Sequence, residues 1–193
     1  MARIEPVSFY GGAITTAFTA KYIDVSNFRV VPDHQEVWTE DAQTTPLALI
    51  CEINEYKSGL SDDACGQFFF DDLATLNGAT SPDRRTLSSS TVRTAGSGIA
   101  PRLPPETPVV VVKGSQIVDR RSDGRVQKEV TMWLGAIRLP QYTSDILITL
   151  TLPHAEVDDC AVAPTTEALQ KAEQMFATVF EQFEVKNWGL FGC

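Results

Sequence analysis

Stretches of apolar residues recurring at period two, broken by turn-forming residues, run through most of the chain and predict strands. Val7 to Tyr10 and Ala13 to Phe18 flank Gly11-Gly12, a pair that tolerates the positive φ of a tight connection. Gln35 to Glu40 and Leu47 to Glu55 read as two further strands, the second rich in Leu and Ile around Cys51. Ser61 is placed to cap a helix with Asp62 and Asp63 in its first turn and Cys65, Phe69, Leu73 and Leu76 on its apolar stripe. Phe68 and Phe70 fall outside the centre of that stripe. Residues 79 to 106, rich in Ser, Thr, Gly and Pro, follow neither period and read as a long irregular excursion, and deleting part of residues 84 to 103 is expected to leave the fold intact. Three strands follow at 107 to 118, 126 to 139 and 144 to 152, with Asp123-Gly124 as a hairpin turn, so an antiparallel meander is predicted. From Thr166 to Val185 the residues Leu169, Ala172, Phe176, Val179, Phe180 and Phe183 share one helical stripe, which should pack on the sheet. Runs of strands with helices at the middle and end make the expected class α+β, a central antiparallel β-sheet covered by helices.

Composition changes this picture little. With 193 residues, 43% hydrophobic and 21% charged, the chain suits one domain, residues 1–193, with a substantial core. No apolar run approaches a membrane span. The N-terminal ten residues lack the apolar core of a signal peptide, and the terminal Gly192-Cys193 does not fit a prenylation box, so no membrane association and a cytoplasmic or nuclear location are expected. Cys51, Cys65, Cys160 and Cys193 lie far apart and only His34 and His154 could join them, which argues against a metal site. Phosphate-cradling loops, nucleophile elbows and zinc helices are missing from the sequence, and no cofactor is expected.

Charge is more informative. The net charge of −9 argues against nucleic acid as a partner and favours a basic one. Residues 24 to 72 contain eleven acids against Arg29 and Lys57, while the remainder holds fourteen of each sign, so one segment carries the whole excess. It is either an ordinary solvated surface or an acidic binding face.

The segments FYGGAIT at 9 to 15, DVSNFRVVPDHQEVW at 24 to 38, MWLGAIRLPQYTSDILITLTLP at 132 to 153 and FEVKNWGLFG at 183 to 192 resemble the Mog-one family of Ran guanine-nucleotide release factors. The resemblance spans most of the chain. It implies an α/β/α sandwich of the kind also found in the photosystem protein PsbP, and a protein of nucleus and cytoplasm, acting as a monomer, that binds the GTPase Ran and promotes nucleotide release. An adaptor for another basic partner, or an enzyme using an acidic cleft, are the competing readings.

The resemblance places the partner-binding site at Glu52 and Glu55, where ICEINEY at 50 to 56 matches the family's acidic strand end. Residues three apart on a strand face opposite ways, so a shared surface requires the strand to end or bulge near Asn54. The same geometry disfavours a general acid/base pair. Asp33 and Glu36 in the VPDHQEV turn, with Asp24 behind them, are the next candidates, although Asp33 after Pro32 also suits a purely structural turn. Trp38 would share a strand face with Glu36 and Glu40, as an aromatic anchor or as cover for the sheet.

Overall fold

In the computed structural model, residues 4–19, 21–42, 46–119, 127–157 and 160–192 are described. The strands are β1 (Glu5–Phe9), β2 (Ile14–Phe18), β3 (Tyr22–Asp24), β4 (Gln35–Glu40), β5 (Ala48–Glu55), β6 (Arg85–Thr94), β7 (Pro108–Asp119), β8 (Gln127–Leu139), β9 (Ser144–Pro153), β10 (Ala155–Val157), β11 (Cys160–Val162) and β12 (Glu184–Val185). Among the described residues two α-helices, α1 (Asp62–Leu76) and α2 (Thr166–Gln182), complete the α+β fold. Seven strands form one antiparallel sheet in the order β3-β4-β5-β9-β8-β7-β6, and β1-β2-β12 form a small second sheet. The turn expected at Asp123-Gly124 lies outside the described residues.

The central strands are buried on both faces. Val110 and Val112 of β7, Met132, Leu134 and Ala136 of β8 and Leu147 of β9 face Cys65, Phe69 and Phe70 of α1. Their neighbours Val109, Trp133, Ile137, Ile146 and Ile148 face the other way, into a core shared with Phe176, Val179 and Phe180 of α2 and with Phe9, Ile14 and Phe18 of the small sheet. The Thr16 hydroxyl donates to the Val179 carbonyl at 2.7 Å and ties β2 to α2. Each helix begins on a side-chain cap, with Ser61 Oγ accepting from the Ala64 amide and Thr165 Oγ1 from the Ala168 amide.

Three sequence expectations are corrected. The excursion at 79 to 106 contains the ten-residue strand β6, which pairs along β7 with one irregularity between Leu87 and Ser89. As an edge strand with most residues exposed, β6 has little need of apolar alternation, which is why its Ser and Thr concealed it. On α1, Phe70 is buried and Leu76 is 62% exposed, so the buried face includes Gly66 and Ala74 and is rotated from the predicted stripe. The second helix stops at Gln182 because Phe183 turns to an extended conformation and Glu184 and Val185 pair with β2.

A buried ion pair fixes the loop between β5 and α1. Arg138 is 1% and Asp145 0% exposed, and the guanidinium donates to Asp145 at 3.3 Å, Asp62 at 2.8 Å and the carbonyls of Leu60 and Lys57 at 2.7 and 2.9 Å. Asp145 also accepts from the Lys57 amide at 3.0 Å. The Arg138 guanidinium lies 4.5 Å over the Tyr56 ring. Replacing Arg138 by Met leaves Asp145 buried without its cation, and urea titration is expected to show a loss of about 3–5 kcal/mol. Deleting residues 84 to 103 would remove the strand covering β7; the shortened protein is expected to lose its cooperative thermal transition, and a retained sharp transition would show that β6 is dispensable.

Candidate functional site

The residues singled out in the sequence converge on one end of β3, β4 and β5. Here Tyr10, Gly11 and Gly12 adopt positive φ of 50°, 64° and 93°, a tight turn that brings the Tyr10 amide to the Glu36 carboxylate at 2.5 Å. The Tyr10 hydroxyl sits 2.9 Å from the Cys51 carbonyl and 3.0 Å from that of His34. His34 also accepts from the Ile53 amide at 2.9 Å, so the VPDHQEV turn is fastened to β5. The apolar-polar order FYGG therefore serves to clasp this end of the sheet.

Strand register assigns each carboxylate a direction. Glu36 pairs with Cys51, a core residue beneath the small sheet, whereas Glu52 pairs with Gln35 and with Leu147, which faces α1. Glu36 and Glu52 thus emerge on opposite faces. Glu55 is exposed, and β5 pairs with β9 without interruption from Ala48 to Glu55. The bulge near Asn54 that would turn Glu55 beside Glu52 is absent from this register. The two glutamates share the strand end and not a face, and a surface using both must wrap around the end of the sheet.

Burial pushes the carboxyls of Glu36 and Glu52 above the ordinary glutamate range. For Glu36, the Tyr10 amide partly offsets this and the charge of Asp24 adds to it. For Glu52, a hydrogen bond from Gln35 and the nearby His34 partly offset it, while Asp72 of α1 adds to it. Asp24 accepts from the Ser26 amide at 2.8 Å and stands opposite Trp38, so its carboxylate both ends β3 and adds negative charge beside Glu36. Asp33 is exposed in the turn. Trp38 packs 5.5 Å from Phe18 and 6.2 Å from Phe9, centroid to centroid, which makes it cover for the core in this arrangement.

The neighbouring corner gathers the chain's later motifs. Tyr56 donates its amide to the Thr143 carbonyl at 2.9 Å, and Tyr142 stacks on Trp188 at 4.8 Å and packs on Phe191 at 5.6 Å. Segments 140 to 145 and 186 to 191 thereby buttress the strand end bearing Glu55. Sequence reasoning missed Tyr10, Gln35 and Asp72 as neighbours of the acids, because each contact joins residues 17 to 26 apart or belongs to a helix on another layer. It also passed over Phe28 and Val30, whose signal was an apolar pair inside a turn with no strand or helix to bury it.

A separate cleft of about 370 Å³ lies between α2 and β6 to β8, lined by Arg93, Val111, Lys113, Trp133, Glu173 and Phe176 among others. Lys113 bridges to Glu173 at 2.5 Å and lies 5.3 Å over Trp133. None of the six candidate residues lines it. No group of three or more His, Cys, Asp or Glu with metal-binding geometry occurs among the described residues, and none of their helices is long and apolar enough to cross a membrane.

The family model described as Ran-interacting Mog1 protein matches residues 7–153. A Ran guanine nucleotide release factor of Danio rerio is 28% identical over 185 residues, covering 95% of this chain and 97% of that protein. The nuclear import protein MOG1 of Saccharomyces cerevisiae is 27% identical over 203 residues, covering 97% and 84%. The crystal structure of the Saccharomyces cerevisiae Ran-binding protein Mog1p superimposes with a TM-score of 0.71 at 21% identity, over 100% of both chains, a likeness of fold. With its model matched across the sheet and the acidic strand ends, the Mog1 family is the one to which this chain belongs.

Proposed function

We propose that this protein binds the GTPase Ran and promotes release of its guanine nucleotide, in support of nuclear transport, as the names of its relatives state for them. The observation that carries the reading is the collection of Asp24, Asp33, Glu36, Glu52 and Glu55 at one end of the β3–β4–β5 region, in a chain whose residues outside 24 to 72 balance in charge. An acidic end of this kind attracts a basic partner surface and speeds encounter. Release follows if the protein binds the nucleotide-free or loosened conformation of Ran more tightly than the loaded one, since differential affinity alone shifts such an equilibrium. The protein acts here by binding, as a monomer, with no chemistry on a substrate, in nucleus and cytoplasm. Loss of labelled nucleotide from Ran on addition of the protein tests the reading, and its absence with binding intact would favour the adaptor.

The raised carboxyl of Glu52 supports a functional over a structural role. A folded-state pKa above the unfolded value means the folded protein binds the proton more tightly, so stability falls as pH rises through this window and the ionised group destabilises the fold at neutral pH. Glu52→Gln keeps an acceptor for Gln35 and removes the charge. Its melting temperature at pH 7 is expected to equal or exceed that of the wild type, with the advantage shrinking as pH drops toward the ordinary carboxyl range, while Ran binding weakens. Reversing Glu52 and Glu55 together to Lys is expected to slow association with Ran by about tenfold or more at low salt, with a smaller effect at high salt. Stopped-flow association at two salt concentrations measures this, and unchanged rates would remove both glutamates from the site.

A further inference from the structure

Phe28 is 76% and Val30 97% exposed, the highest values among the exposed large apolar residues described. Single exposed apolar residues are ordinary, but these two stand two positions apart on one short turn. That turn is held on both sides of Val30. Asp24 accepts from Ser26 at 2.8 Å, the Asn27 side chain donates to the Asp24 carbonyl at 3.2 Å, and the amides of Phe28 and Arg29 donate to the Val25 carbonyl at 3.0 and 3.1 Å. At its far end the Gln35 amide donates to Pro32 at 2.8 Å and the Ile53 amide to His34 at 2.9 Å. Phe28 is thus displayed from a bonded backbone and Val30 stands between that stretch and the anchored far end, which lowers the ordering cost of an encounter. The same bonds set the turn against the strand end that carries Glu52 and Glu55, with Asp24 and Asp33 at its own two ends.

We propose, resting on the reading of function above, that Phe28 and Val30 are the apolar centre of the contact with Ran and that the surrounding carboxylates form its charged rim. Protein interfaces are commonly built this way, with an apolar centre setting how long the complex lasts and rim charges setting how fast it forms. The arrangement also resolves the opposed directions of Glu52 and Glu36. A partner seated on the turn at the end of the sheet meets carboxylates emerging from both faces, which a partner lying flat on either face would not.

The test measures association and dissociation of the full-length protein with Ran for Phe28→Ser, Val30→Ser and the double variant, each with its melting temperature. Dissociation is expected to speed up by about tenfold or more in the double variant, with the salt dependence of association and the melting temperature unchanged. Phe28→Leu should retain most of the affinity. Val92→Ser, at an exposed apolar position on the opposite edge strand, serves as the control and should leave binding as it is. Should the double variant melt early, Val30→Ser alone decides, since that side chain has almost no contacts to lose. Wild-type dissociation rates in variants of normal stability would overturn the proposal while leaving Ran binding in place. A change of the free protein from dimer to monomer in the double variant, with Ran affinity unaltered, would assign the patch to self-association and overturn it equally. If the wild type fails to bind Ran at all, the functional reading falls and this proposal with it.

Discussion

Two helix phenylalanines meet two strand glycines, and the layered fold depends on that fit. A Cβ at Gly135 would lie 2.1 Å from the Phe180 ring of α2, and one at Gly114 would lie 2.6 Å from the Phe70 ring of α1 and 2.5 Å from the Thr86 carbonyl. The missing side chains let α2 approach one face of the sheet and α1 the other, closely enough to exclude water from both. β8 and β9 are consequently buried along nearly their whole length, and their polar members must find partners inside. Arg138 and Asp145 find each other, and through Asp62, Leu60 and Lys57 they fix the path of the chain from β5 into α1.

That fixed path bears on the acidic end. β5 runs straight to Glu55 because β9 pairs with it to the last residue, and the loop beyond is gripped from below by Arg138. Glu36, Glu52 and Glu55 are therefore held by strands of the sheet and not by a pliable loop, and the first two are half-buried at an energetic disadvantage to folding. Carboxyls kept in such surroundings have their charge poised for an incoming cation, which would restore the interaction that desolvation takes away. The Tyr10 to Gly12 turn and the Tyr142, Trp188 and Phe191 stack close the two sides of this end, so segments far apart in the chain support one surface.

Local pattern alone determined much of this protein. Alternation located β4, β5, β7, β8 and β9, helical spacing located both helices, and the concentration of acids within residues 24 to 72 located the chain's charge excess, part of which lies on α1 and part at the sheet end of the candidate site. Those features depend on period and on composition, which a single chain displays. Tertiary structure alone decided the rest. β6 is a strand because β7 offers it an edge, with little apolar signal of its own; β3 and β12 are too short to carry a period. The faces on which Glu52 and Glu55 emerge followed from uninterrupted register between β5 and β9, since a one-residue bulge, invisible in composition, would have reversed Glu55. How far each carboxyl is shifted was decided by distant neighbours, the Tyr10 amide that offsets the burial of Glu36 and the Asp72 charge that adds to the burial of Glu52, because burial is a property of layers brought together by folding and not of any segment read alone.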